Sequence, residues 1–292
     1  MSSAKEALAR AIAAERKQSE LREQAEKGLA LERRMREMAS VTEKFTAAGR
    51  FMSQGLFDKA EEIMNGVPLI PQSSVIYNTL GEVYGRRRDW PASIRNFDRS
   101  VTADPTNHLA WHYLAPMLVE AGDLDGYQKY RERVLAQFAQ TDDPTVAERM
   151  AKDCLILPPP AAELEKIARM ADQAVTASST NKAWPYYLFV KGLAEYRQGH
   201  FPQAVDWLHK VRIDDGLPAR AGQTYAVLAM AEFKSGDTNH ARNSLAEGIK
   251  IAEARLTRGE RLEWTDELIA WFLLREAAEL ITGERVPDPY RQ

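Results

Sequence analysis

The side chains with the most chemical reach in this sequence are five histidines, one cysteine and a run of three arginines. His108 and His112 stand four residues apart, one helical turn, a spacing that lets two imidazoles face one divalent cation. No cysteine or carboxylate completes a ligand set beside them, and His108 follows Asn107 at a helix start. They read as surface or groove residues, and no metal is expected. His200, His209 and His240 are scattered over a turn and second helices, with no serine or cysteine spaced to serve them as a nucleophile. Cys154 is the sole thiol, which excludes an internal disulfide and any two-thiolate metal site. It lies on the apolar stripe Ala147, Met150, Ala151, Cys154 and reads as a small buried hydrophobe. Arg86-Arg87-Arg88 sets positive charge against the carbonyl end of a helix dipole; contact with an acidic partner is the alternative. A glycine-rich phosphate loop after a strand is missing from the sequence, as are His-Arg-Asp and Asp-Phe-Gly runs. The expectation is a chain with no catalytic residue and no cofactor, and not an enzyme.

What must position these residues is helical. Ala, Leu, Glu, Arg and Gln are abundant, and these side chains lose little rotamer freedom in a helix. The 39 basic and 42 acidic residues nearly cancel to a formal charge of -3, leaving no excess to draw the chain onto a phosphate backbone or an anionic bilayer. No stretch approaches 18 uninterrupted apolar residues, and charges interrupt the N-terminal segment where a signal peptide needs an apolar run. The expected state of these residues is therefore soluble and cytoplasmic, without nucleic acid and without membrane insertion; any membrane attachment would belong to a longer parent protein.

Residues 1–40 read as a charged leader helix. Leu21, Leu31, Met35, Met38 and Phe45 take heptad core positions, with Gln24 and Gly28 in the same seam. Two readings follow: a solvent-exposed leader, or a coiled coil that makes a homodimer. From Val41 the pattern turns to short helices between Gly-Asp, Pro and Asn punctuation. In the unit Val75 to Pro105, Tyr77, Leu80, Gly81 and Tyr84 make one stripe, and Ile94, Phe97 and Val101 a second. Gly81, costly in mid-helix by roughly 1 kcal/mol, makes sense where a neighbouring helix approaches closely. Thirty-four residues on, Trp111, Leu114, Ala115 and Leu118 repeat the stripe. Gly192 with Ala204 and Leu208, and Ala229 with Ala241 and Leu245, mark further copies; Ala48, Ala60 and Met64 mark an opening one. Residues 145–177 predict an atypical pair joined through Pro158-Pro159-Pro160, stacked within one continuous array. Trp264 to Ile281 reads as a cap, one apolar side closing the last hairpin and the charged side facing water.

These positions resemble the tetratricopeptide repeat. The resemblance implies an all-α superhelix, or solenoid, of helical hairpins with a long N-terminal helix: leader 1–40, repeat domain 41–283 and tail 284–292. More particularly, Thr141-Asp142-Asp143-Pro144, Val146 through Lys152, Gly192 through Arg197 and Leu274-Arg275-Glu276-Ala277 look like the C-terminal repeat region of large serine/threonine protein kinases of planctomycete and verrucomicrobial bacteria. That likeness implies an interaction region that recruits substrates or regulators to a kinase; the kinase domain itself is absent from these residues.

In such arrays the first helix of each pair lines the concave face, so its side away from the core is open to a protein or peptide. The residues there are Asn78 and Glu82, then His112 and Tyr113, then Tyr186, Phe189 and Arg197. The basic set with which some family members grip a C-terminal carboxylate is broken, and a mixed aromatic and polar groove suits a folded partner or an apolar segment. The expected function is a non-catalytic protein-interaction scaffold, with a structural or oligomerising element as the alternative.

Overall fold

A computed structural model describes residues 2–213, 217–258 and 264–286, and the described residues contain helices and no strand. The predicted tail lies outside the described residues beyond 286. The helices are α1 Ser2–Ser53, α2 Phe57–Met64, α3 Pro71–Arg86, α4 Trp90–Ala103, α5 His108–Glu120, α6 Leu124–Phe138 and α7 Pro144–Cys154. They continue with α8 Ala161–Ala174, α9 Trp184–Arg197, α10 Phe201–Leu208, α11 Pro218–Lys234, α12 Thr238–Arg258 and α13 Trp264–Thr282. The chain divides into two compact units, Met1–Leu69 and Ile70–Gln292.

In the first unit α1 runs unbroken for 52 residues. No proline or capping signal interrupts it near residue 40, so the leader and the first helix of the opening hairpin are one element. It stops before Gly55, whose φ of +73° reverses the chain into α2. Ala48, Ala60 and Met64 are fully buried where α2 meets the C-terminal part of α1, and Lys44 Nζ donates to the Gly66 carbonyl at 2.8 Å. Residues 14–40, by contrast, are exposed.

The second unit is a series of hairpins, α3/α4, α5/α6, α7/α8, α9/α10 and α11/α12, followed by α13. Four of these turns carry a left-handed residue at the same place: Arg88 (φ 65°), Gly122 (72°), Gly199 (82°) and Gly236 (91°). After the first, second and fourth comes an aspartate that caps the next helix, Asp89 accepting from Ala92 N at 3.1 Å, Asp123 from Gly126 N at 2.9 Å and Asp237 from His240 N at 3.2 Å. Close helix approach explains the mid-helix glycines. A Cβ on Gly81 would lie 2.8 Å from the Phe97 ring, and one on Gly192 would lie 2.6 Å from Leu208 Cγ. The apolar core is continuous from Phe97 to Ile281.

The triproline corner does not interrupt that core. α7 packs on α5, α6 and α9, while α8 packs on α7 and α9, and Leu155 and Ile156 are wholly buried at the corner's entrance. The carbonyls freed by the end of α7 find donors: Tyr127 Oη reaches Asp153 O at 2.6 Å, Arg197 Nε reaches Leu155 O at 3.2 Å and Arg197 Nη2 reaches Ile156 O at 3.1 Å.

Two substitutions test the backbone logic of the hairpins. Gly81→Ala gains roughly 1 kcal/mol of helix propensity but drives a methyl into the Phe97 ring, an overpacking cost of about 1–3 kcal/mol. Urea unfolding should show net destabilisation. Arg88→Gly, which removes a side chain from left-handed backbone costing about 1–2 kcal/mol, should leave stability equal or higher in the same assay; a loss above ~1 kcal/mol would show that the Arg88 side chain, not the backbone, governs the turn.

Candidate partner-binding surface

The concave wall of the second unit is made by the first helices α3, α5, α7, α9 and α11, and the chain's own α13 lies against it. This helix is apolar nearly all round, with Trp264, Leu268, Ile269, Trp271, Phe272, Leu273, Leu274, Ala277, Ala278 and Ile281 buried, the signature of a helix enclosed on several sides. It packs on α11 and α12, as a cap does, and also reaches back to α5. The expectation that its charged side faces water is corrected here. Asp266 Oδ1 lies 3.0 Å from Lys152 Nζ on α7, Arg275 Nη2 lies 3.4 Å from Glu120 Oε2 on α5, and Glu276 takes both Nη groups of Arg197 on α9. Of Glu267, Arg275, Glu276 and Glu279, the charges read as facing water, Glu279 alone is exposed and the other three are partly buried. Only the folded curvature, invisible in local periodicity, brings these wall residues within reach.

The electrostatics hold the helix in place. Burial alone would lower the Lys152 ammonium, but the carboxylates of Asp266, Glu148 and Asp153 outweigh it and keep it charged well above the usual lysine range. Burial alone would raise the Asp266 carboxyl. Lys152, His112 and the Gln223 amide, which donates to Asp266 Oδ1 at 3.1 Å, hold it well below the usual carboxylate range. Asp153, fully buried, is raised by desolvation against the pull of its partner His112, whose Nδ1 is 2.8 Å from Asp153 Oδ1.

The seven residues read from sequence as groove residues fall into three groups. His112, Tyr113 and Tyr186 come together around a cavity of about 280 Å³ at the N-terminal end of α13. Glu82 and Asn78 lie one and two turns from its rim residue Arg86 on α3, with Asn78 Nδ2 donating to Glu82 Oε1 at 2.9 Å; burial raises the Glu82 carboxyl, opposed by Arg86 and Asn78. Phe189 and Arg197 are elsewhere. Phe189 is wholly enclosed in the core, and the Arg197 side chain is engaged by Glu276 and the carbonyls of Leu155 and Ile156. Both are corrected from surface groups to structural ones, because helix spacing assigns a face but not what covers it.

The cavity has aromatic walls and a cationic rim. Tyr113 is half-buried, its ring 5.4 Å from Phe97 and stacked at 6.3 Å and 16° on Trp264; burial raises its phenol. Tyr186 lies between two cations, Lys152 at 5.5 Å and Arg220 at 4.6 Å. Arg86 stands 5.8 Å over Trp264, whose indole occupies the space that Gly85 leaves open on α3. Arg149 donates to His108 Nδ1 at 2.9 Å, and burial and Arg149 lower the His108 pKa. The two histidines spaced for a metal thus serve different partners. Among the described residues no three His, Cys, Asp or Glu side chains converge as a metal site. His200 and His240 are each paired locally, with Glu195 and Asp237 at 2.7 Å.

Sequence reasoning did not place Arg149 or Trp264 at this site. Arg149 lies on the irregular α7, where no repeat register marks the concave face, and Trp264 carried a signal only as part of an apolar helix. Arg86, read as a helix-end charge or an acidic-partner contact, also lines the cavity, as does Leu109.

A pH series checks the latch. Asp266, depressed in the folded state, contributes stability that is complete above its unfolded value of about 3.9 and is lost as pH falls through the folded value; Lys152, raised, contributes stability complete below about 10.4. The expected outcome is that Lys152→Met costs about 3 kcal/mol in urea unfolding between pH 5 and 9, since it leaves buried carboxylates uncompensated. The difference from the parent chain should shrink below about pH 4.

No protein-family model matches the chain, and no curated protein matches it. Solved structures with similar folds include a tetratricopeptide repeat protein from Parabacteroides merdae ATCC 43184, 13% identical, covering 83% of this chain and 93% of that one with a TM-score of 0.49. PilW, described as a widely conserved type IV pilus biogenesis factor, is 18% identical over 72% of this chain and 87% of its own, with a TM-score of 0.45. The MamA protein is 15% identical over 65% of this chain and 98% of its own, with a TM-score of 0.38. At such identities and scores the assignment to a tetratricopeptide-like all-α solenoid rests on the hairpin series itself.

Proposed function

We propose that the second unit is a non-catalytic scaffold that binds another protein at the mouth of its concave face, in the cavity beside the N-terminal end of α13, rather than along the length of the groove. The observation that carries this reading is the cavity's composition. Half-buried Tyr113 and Tyr186, buried Trp264 and two guanidiniums at the rim are the residue types that anchor protein interfaces. The remainder of the groove supports the same placement from the other direction, since α13 already fills it. Asn78 and Glu82 lie on α3 beyond the rim residue Arg86, where a partner reaching past the cavity would meet them.

The finer reading, recruitment of substrates or regulators to a bacterial serine/threonine kinase, is supported by the residue runs shared with those repeat regions. A second reading, self-association through α1, is favoured by the apolar side chains this helix exposes.

The scaffold reading is tested by affinity capture from the source organism with the whole chain, followed by titration of the captured partner. Tyr113→Ala and Arg149→Ala should each weaken binding by about tenfold or more, the effect of removing an anchor, with circular dichroism unchanged. Glu247→Ala, on the exposed side of α12, should have no effect. Equal affinity in all three variants would reject the cavity as the docking site.

A further inference from the structure

The largest concentration of exposed apolar side chains lies on α1, apart from the cavity and its function. Of the ten large hydrophobic side chains exposed among the described residues, five fall between residues 21 and 38: Leu21, Leu29, Leu31, Met35 and Met38. All but Leu29 keep one seam, Leu21, Gly28 and Met35 at one heptad position and Gln24, Leu31 and Met38 at the other. Each of the four is more than half exposed, from 56% to 64%. A water-exposed helix with no packing partner over these residues needs none of these groups, since its mixed charges already support it through pairs such as Lys27–Glu23 at 2.5 Å and Arg36–Glu32 at 2.6 Å. An apolar stripe laid along such a helix calls for an occupant with the same repeat.

We infer that the occupant is a second copy of this chain, paired through α1 in parallel and in register; the inference rests on the self-association reading above and adds its geometry. The flanking charges select the orientation. In a parallel pair the residue before one core position faces the residue five places on in the second copy, so Lys27 meets Glu32 of the second copy, and the reciprocal contact forms on the other side. Glu20 and Arg34 meet Ala25 and Ala39 of the second copy, which are neutral. In the antiparallel alignment that best matches the apolar residues, with Leu31 beside Met35, Glu32 falls beside Glu32 and Arg34 beside Arg34. Like charges then flank both edges of the seam. The present partners of Lys27 and Glu32 are exposed intrahelical ions whose pairs are easily exchanged. Parallel pairing also has a consequence for function: it joins two binding units at one end, so that a partner displaying two copies of its docking segment is held far more tightly than either contact alone allows.

Sedimentation equilibrium on the whole chain should give twice the 32.9 kDa mass, and Leu31→Glu should raise the monomer–dimer dissociation constant by about tenfold or more. Circular dichroism should be that of the parent chain apart from α1, because Leu31 is exposed and the substitution removes no buried side chain. Orientation is read from Leu31→Cys under mild oxidation, which should give a reducible covalent dimer, whereas Arg33→Cys on the outer side should not; the native Cys154 is buried and does not compete. A chain that stays monomeric at about 100 µM, a concentration at which even weak pairing is populated, overturns self-association and this inference together. A dimer that Leu31→Cys fails to link overturns the parallel arrangement and leaves self-association standing. Neither result bears on the cavity, whose variants are scored by partner binding.

Discussion

Glu120, Lys152 and Arg197 line the concave wall with side chains only 2–3% exposed, and each meets its opposite charge on α13. Three nearly desolvated charges on one surface would be intolerable without the opposite charges that α13 brings as it covers them, since an uncompensated buried charge costs several kcal/mol. The rest of the second unit follows from this constraint. The solenoid must curve until α13, already packed on α11 and α12, also reaches α5, and the groove that a more open superhelix would offer is filled from within.

The apolar packing and the charges cooperate in this closure. Trp264 enters the space left by the missing side chain of Gly85, stacks on Tyr113 and lies beneath Arg86, so the first turn of α13 is fixed by shape before its ion pairs are counted. Arg197 shows the same economy at the other end. One guanidinium satisfies the carbonyls of Leu155 and Ile156, exposed by the end of α7, and holds Glu276. The triproline corner is therefore tied to α13 through α9, and a departure from regular repeat spacing becomes a point of attachment rather than a boundary.

The two units contrast in how they are stabilised. The second has a continuous core in which helices find neighbours on several sides. The first has a small packed end, around Ala48, Ala60 and Met64, and a long exposed helix whose order comes from propensity and from local charge pairs. A helix of that kind has side chains to spare for another molecule, and a filled groove does not; the surfaces proposed for association are accordingly the cavity at the end of α13 and the seam of α1.

By itself the sequence determined the helical hairpins and their close contacts, though not that the leader and the first helix of the opening hairpin are one element. Those features are written in short-range signals: apolar residues three and four apart, glycines where Phe97 and Leu208 press in, left-handed turn residues followed by capping aspartates. It also located three of the residues around the cavity, His112, Tyr113 and Tyr186, because helical spacing assigns each to the side of its helix away from the hairpin core. It did not determine what covers that side. Phe189 and Arg197 have the same spacing signal and are claimed by the core and by Glu276, while Arg149 and Trp264 carried no groove signal and stand at the site. The difference is decided by curvature, which accumulates from small rotations between successive hairpins and brings together residues 79 to 155 positions apart. Local periodicity carries no record of that sum, so only the tertiary structure could show that the helix read as a cap is also the occupant of the groove.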